Sequence, residues 1–162
     1  MQITSTLTFA APPETVAAMF VSPSFAKHLA DEIQARNVTV SSIDQGLTAV
    51  YTVATPDVAK RIIGEDMTLT QTTTWEPTAE PTGPRIGRLT MTIAGMPATA
   101  DGPLRLTPTA AGSEVVYEAD FVIKIPLVGR KLEQLAGNHL SGVLSSLQQV
   151  GDAWLAQPET TE

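Results

Sequence analysis

Residues 127–156 read LVGRKLEQLAGNHLSGVLSSLQQVGDAWLA, and their pattern decides the fold. Leu132, Leu135, His139, Val143, Leu147, Val150 and Trp154 recur in steps of three and four, the spacing of one face of an α-helix. The stretch predicts one long helix whose apolar stripe is interrupted by a single histidine. Almost everything between the first forty residues and this helix alternates as strands do. A long helix after an antiparallel meander must lie across the sheet's apolar face, because no other element is left to cover it. A curved sheet gripping a helix encloses a pocket, and the spacing points His139 into it.

Outward from the helix, the strongest strand pattern is 113–125, with Val115, Tyr117, Ala119, Phe121, Ile123 and Ile125 on one face and Glu114, Glu118, Asp120 and Lys124 on the other. A weaker strand near 101–108 carries Leu104 and Leu106, and 85–94 sets Leu89, Met91 and Ile93 inward. Three prolines and a glycine mark 77–84 as a surface loop. Strand 66–76 separates Met67, Leu69, Gln71, Thr73 and Trp75 from a row of threonines, and 47–55 aligns Leu47, Ala49, Tyr51 and Val53. Between them, 56–64 is a connection with one helical turn from Val58 to Ile63. Residues 36–43 place Val38 and Val40 together. Two short helices come earlier, one after Pro12-Pro13 and one from Ser22 to about Ile33, following a first strand over 2–10. The wet face of the sheet is rich in threonine and charge, as suits an antiparallel sheet solvated on one side. The order is strand, two helices, six strands, helix. A single domain is expected over 1–157, with a polar tail at 158–162.

Composition narrows the function. A net charge of −7 argues against a phosphate-backbone partner, and the ten Lys and Arg form no run longer than two. With no cysteine there is no disulfide, thiolate metal site or cysteine nucleophile. No membrane-length apolar stretch and no signal-peptide pattern occur at the start of this sequence, so the cytoplasm is the expected compartment. Gly-x-Ser-x-Gly, the P-loop and Gly-x-Gly-x-x-Gly are absent, and nothing implies a cofactor. His28, Asp31 and Glu32 look like metal ligands, but a solvated helix face accounts for them. Two histidines far apart in sequence cannot make an ordinary three-ligand zinc site.

Two local marks carry a resemblance. Lys60-Arg61-Ile62-Ile63-Gly64 precedes a strand ending in Trp75-Glu76, and Ile125-Pro126-Leu127-Val128-Gly129-Arg130-Lys131-Leu132-Glu133 opens the final helix. With the element order, these resemble an actinobacterial family carried as a domain of unknown function within the START, or SRPBCC, superfamily. That superfamily includes START lipid-transfer domains, the birch-pollen-allergen family, polyketide cyclases and coenzyme-Q-binding proteins. The resemblance implies an α+β helix-grip fold, a seven-stranded curved antiparallel sheet wrapped around a long C-terminal helix. It also implies a cavity between sheet and helix, commonly used for apolar ligands. It brings no catalytic residues.

Within such a cavity, His139 is the sharpest single residue, as a hydrogen-bonding anchor, a general base or simply a packed core histidine. Tyr51, Gln71, Thr73 and Tyr117 are polar side chains on inward faces, with Met91 and Val143 as apolar lining. They form either a polar cluster in an apolar pocket, or tyrosines at the sheet's ends beside a Gln71–Thr73 pair that satisfies itself. Gly137 and Gly142, flanking His139, point to close packing or room for a ligand. Trp75 and Trp154 are expected to anchor opposite ends of the core, and Arg61 and Arg85 lie near connections, either as exposed surface charge, the expected case, or bordering the pocket mouth for a carboxylate-bearing ligand. Three functions fit: a non-enzymatic carrier of a hydrophobic small molecule, a cyclase- or dehydratase-type enzyme using His139, and an interaction module with a filled interior. The sequence leaves the oligomeric state open.

Overall fold

A computed structural model describes residues 1–157, with the side chains of residues 139–141 outside that description. The 158–162 tail and the His139 imidazole therefore lie outside the described residues. Seven strands form one antiparallel sheet in the order β1-β7-β6-β5-β4-β3-β2. They are β1 (Gln2–Phe9), β2 (Asn37–Ile43), β3 (Gly46–Ala54), β4 (Asp66–Trp75), β5 (Arg85–Ile93), β6 (Ala98–Thr109) and β7 (Gly112–Ile123). Helices α1 (Pro13–Phe20) and α2 (Pro23–Glu32) join β1 to β2, and α4 (Gly129–Leu155) closes the grip. The β3–β4 connection holds a short 3-10 turn, Asp57–Ala59, and α3 (Lys60–Ile63). No helix among the described residues is long and apolar enough to cross a membrane.

Local chemistry sets the boundaries. Pro13 opens α1 where a missing N–H costs nothing, and Glu14 stands in its first turn, favourable to the helix dipole. Ser22 caps α2 by accepting a hydrogen bond from the Phe25 N–H at 3.4 Å, with Pro23 next to it. The period-two alternation fixes the registers: Tyr51 pairs with Leu69 and Leu69 with Ile93, while Ala49, Gln71, Met91, Ala100 and Phe121 form the adjacent inward row. β6 starts at Ala98, three residues before the strand that the sequence suggests near 101–108, because Ala98-Thr99-Ala100 carries little apolar pattern of its own and is held by pairing on both sides. Its ladder to β7 passes Gly102 and Pro103 without change of register, from Asp101↔Asp120 to Leu104↔Tyr117. β7 ends at Ile123, so Ile125 belongs to the connection.

The two tryptophans lie in one cluster, contrary to the expectation that they anchor opposite ends. Phe20 stands edge-on to Trp75 (6.2 Å) and to Phe25 (6.0 Å), and Phe25 edge-on to Trp154 (6.2 Å). Helices α1 and α2 bring Phe20 and Phe25 between residues far apart in sequence. Trp75 donates its indole N–H to the Ala17 carbonyl at 3.0 Å. Gly87, its partner on β5, makes room for the ring, since a Cβ there would stand 2.6 Å from the indole.

Helix α4 packs chiefly on α2, β7 and β1. Leu132, Leu147, Val150 and Trp154 face inward as the stripe predicts. Val143 does not: it is 44% exposed, and its neighbour Leu144 is the more buried of the two. A three-and-four pattern defines a stripe but drifts against the true helical period, so one position can slip to the flank. Packing demands glycine at Gly129, where a Cβ would collide with the Ile123 carbonyl oxygen, and at Gly151, where it would come 2.5 Å from the Phe9 ring; at Gly137 it would meet only the flexible end of Met1 at 2.7 Å, and at Gly142 open space. Gln148 reaches from α4 to the outer edge of β1. Its amide accepts from the Thr8 N–H (3.1 Å) and donates to the Thr8 carbonyl (2.7 Å), as a neighbouring strand would.

Candidate functional site

The inward face of the sheet is unevenly covered. Around Trp75 it is tightly filled: Leu104, Leu106 and Val115 are buried beneath α1 and the C-terminal half of α4. Toward the β5–β6 turn, Ala98, Ala100, Phe121 and Ile123 are buried against Leu132. Between these regions lies the part of the sheet made by β3, β4 and β5. There Val53, Met67, Leu69, Gln71, Met91 and Ile93 point inward yet remain only half-buried. Helix α4 packs chiefly on α2, β7 and β1, so among the described residues this half-buried surface is less covered than its flanks, and it is the candidate ligand cleft.

Tyr51 stands at the side of the cleft, on β3. Val38 and Leu69 flank it in register, and the small side chains Ala26, Ala30 and Ala49 share its cluster. It is 2% exposed, and its hydroxyl has no hydrogen-bond partner among the described residues. Burial alone pushes the phenol from 10.0 up to about 12. The group therefore stays protonated at neutral pH and can donate. The raised pKa adds stability that is fully present below pH 10 and is lost as pH rises toward 12.

Gln71 sits one register step from Tyr51 on the next strand, within reach of a diagonal contact. Its amide donates to the Thr73 hydroxyl at 3.5 Å, the self-satisfying pair that the sequence also allowed. Thr73 is buried beneath it, and Met91 lies directly across β4 and β5 from Gln71. Tyr117 is used differently. Its hydroxyl donates to the Leu89 carbonyl at 3.0 Å, which ties β7 to β5 across β6, and burial followed by the Asp101 charge raises its pKa. Of the sequence candidates, Tyr51, Gln71, Thr73 and Met91 share one region, Tyr117 is held by its own bond, and Val143 points outward. The backbone of His139 lies in α4, but its imidazole is outside the described residues. Arg85 pairs with Leu106 at the filled end and is half-buried rather than the exposed surface charge expected, and its buried Nε has no partner among the described residues.

The α2 alanines beside Tyr51 are the part of the site that sequence reasoning missed. Ala26 and Ala30 recur at helical spacing on the buried face of α2, a small-residue signal that leaves room for the phenol ring. The two tyrosines should respond differently to loss of their hydroxyls. Tyr51→Phe breaks no described bond and should change unfolding free energy by less than about 0.5 kcal/mol, whereas Tyr117→Phe should cost about 1 kcal/mol. Urea unfolding of both variants checks this, and an equal loss in the two would mean that the Tyr51 hydroxyl already has a partner.

Comparison with solved structures places the geometry in a known fold. A Thermus thermophilus protein, TTHA0849, superimposes with a TM-score of 0.65 at 15% identity, covering 97% of this chain and 100% of that one. The ZhuI aromatase/cyclase of a Streptomyces species superimposes with a TM-score of 0.61 at 18% identity, over 93% of each chain. Ara h 8 gives 0.57 at 11% identity, over 93% of this chain and 97% of the other. These likenesses establish the helix-grip fold. In sequence, an uncharacterised Mycobacterium tuberculosis protein, Rv0481c, is 27% identical over 108 residues, spanning 62% of this chain and 58% of that protein. The match thus spans less than two-thirds of that relative's length. The profile of the family described as protein of unknown function (DUF2505) matches residues 4–155, and the chain belongs to that family.

Proposed function

We propose that the protein is a non-enzymatic, cytoplasmic carrier that holds a hydrophobic small molecule, such as a lipid, isoprenoid or polyketide-like compound, between β3–β5 and α4. One observation carries this reading: the inward apolar side chains of β3, β4 and β5 stay half-buried in a fold whose flanking regions are fully packed. Apolar surface left open beside a filled core gains about 25 cal/mol for each Å² that a ligand covers. Tyr51 sets orientation, because a buried phenol donor is stabilised by any acceptor that a ligand brings to it.

Mass spectrometry of the gently purified protein, native and after organic extraction, tests the proposal. A stoichiometric apolar compound supports it. An empty protein that also fails to take up a panel of isoprenoids, fatty acids and aromatic polyketides argues against it.

A cyclase-type reaction is the second reading, favoured by the neutral Tyr51 phenol, which suits polarisation of a carbonyl. It requires an acid/base group close to Tyr51, and His139 is the candidate. His139→Leu separates the two readings: a carrier keeps its ligand, whereas an enzyme loses turnover.

A further inference from the structure

We propose that the loop tips at one end of the grip dock the protein onto an anionic lipid surface. Strands β3, β5 and β7 run in the same direction, since each is separated from the next by an antiparallel partner. The connections that follow them, 55–65, 94–97 and 124–128, therefore emerge at one end of the sheet. Two of these carry apolar side chains into solvent: Val58 and Ile62 on the first, Leu127 and Val128 on the last.

Leu127 is the extreme case. It is fully exposed and holds a positive φ of 72°, a conformation that is strained for a branched side chain. Nothing in the fold gains from a leucine there, since Gly or Asn would hold the turn at lower cost. The feature makes sense if the side chain is buried in an apolar medium outside the protein.

Charge identifies that medium. The chain carries −7 overall, yet five of its ten cationic side chains, Lys60, Arg61, Lys124, Arg130 and Lys131, belong to these tips and the first turn of α4. Lys60 is paired with Asp57 and Glu65, and Arg130 acts on Glu133. Arg61, Lys124 and Lys131 have no ion-pair partner among the described residues. Between Ile123 and Glu133 a groove of about 550 Å³ has Lys124, Arg130 and Leu127 in its walls. Exposed apolar tips set among cations match the layering of an anionic bilayer, with headgroup charge outside and hydrocarbon beneath. A protein partner would call for a contiguous apolar patch, whereas Val58 and Leu127 stand on tips separated by β4, β5 and β6. The inference stands apart from the carrier reading, because docking needs no ligand in the cleft.

Co-sedimentation with large unilamellar vesicles tests it, comparing phosphatidylcholine alone with phosphatidylcholine containing phosphatidylglycerol. Binding is expected only to the anionic vesicles, weakening about fivefold for each of Lys124→Glu and Lys131→Glu, and falling steeply with added salt. Leu127→Gly is the decisive variant. It fits the positive φ, so thermal stability should hold or rise, while vesicle affinity should drop about tenfold. Unimpaired binding by Leu127→Gly, equal binding to neutral vesicles, or no binding to either would overturn the proposal. So would a dimer in sedimentation equilibrium that Leu127→Gly dissociates, since that assigns the tips to a second copy of the chain.

Discussion

Trp75→Ala should lower the unfolding free energy by about 3–5 kcal/mol, the range for deleting a large buried aromatic side chain. The indole contributes more than area at this position. It lies against Gly87, meets the Phe20 ring edge-on, and bonds the Ala17 carbonyl, so alanine leaves both a cavity and an unpaired carbonyl. For a chain of this size each kcal/mol moves the midpoint by about 2–4 °C, so calorimetry should show a fall of about 10 °C. Trp154→Ala provides the internal comparison. That residue is only half-buried on the same cluster and should cost less. A Trp75→Ala midpoint within about 3 °C of the parent would remove the aromatic cluster from its assigned role as the core of the filled end.

Met91→Trp addresses the other end of the interior and has the largest expected effect on ligand retention. Met91 lies inward and half-buried beside Gln71, and an indole there should occupy the space assigned to the ligand. Retention of the bound compound is expected to fall at least a hundredfold, read by native mass spectrometry. Met91 is half-buried against the core clusters on both sides, so if the carrier reading holds, the indole extends into ligand space and stability is expected to stay within about 1 kcal/mol of the parent. A filled interior predicts instead a loss of about 1–3 kcal/mol from overpacking. The two measurements therefore discriminate between the carrier and the interaction module in one variant.

Much of this arrangement is legible in the sequence, for physical reasons. Period-two alternation sets which residues look inward, and Leu47, Ala49, Tyr51 and Val53 needed nothing further to be assigned a face. The long helix follows from its stripe in the same way. The slips occur where local pattern and tertiary context separate. The strand read near 101–108 begins three residues earlier, because β5 and β7 hold the segment Ala98-Thr99-Ala100 in the ladder from both sides. Val143 fits the stripe by spacing, but the sheet meets the helix along its other flank, toward Leu144. Trp75 and Trp154 are joined only through two phenylalanines contributed by the first helices, a relation between distant segments that periodicity does not encode. Tyr51 and Tyr117 look alike as inward tyrosines. Only the position of the Leu89 carbonyl separates the bonded hydroxyl from the unbonded one.

The Gln148 clamp on Thr8 also bears on how the sheet can grow. A fibre built by strand addition needs an accepting edge at each end of every unit. Here the Thr8 end of one edge is already engaged by a side chain of the same molecule, whereas β2 carries no such clamp among the described residues. Pairing β2 against β2 of a second copy would consume the unclamped edge of both and present a clamped edge at each end. The clamp thus obstructs strand addition at the Thr8 end of β1 and tilts any pairing toward a symmetric β2–β2 dimer over an open fibre.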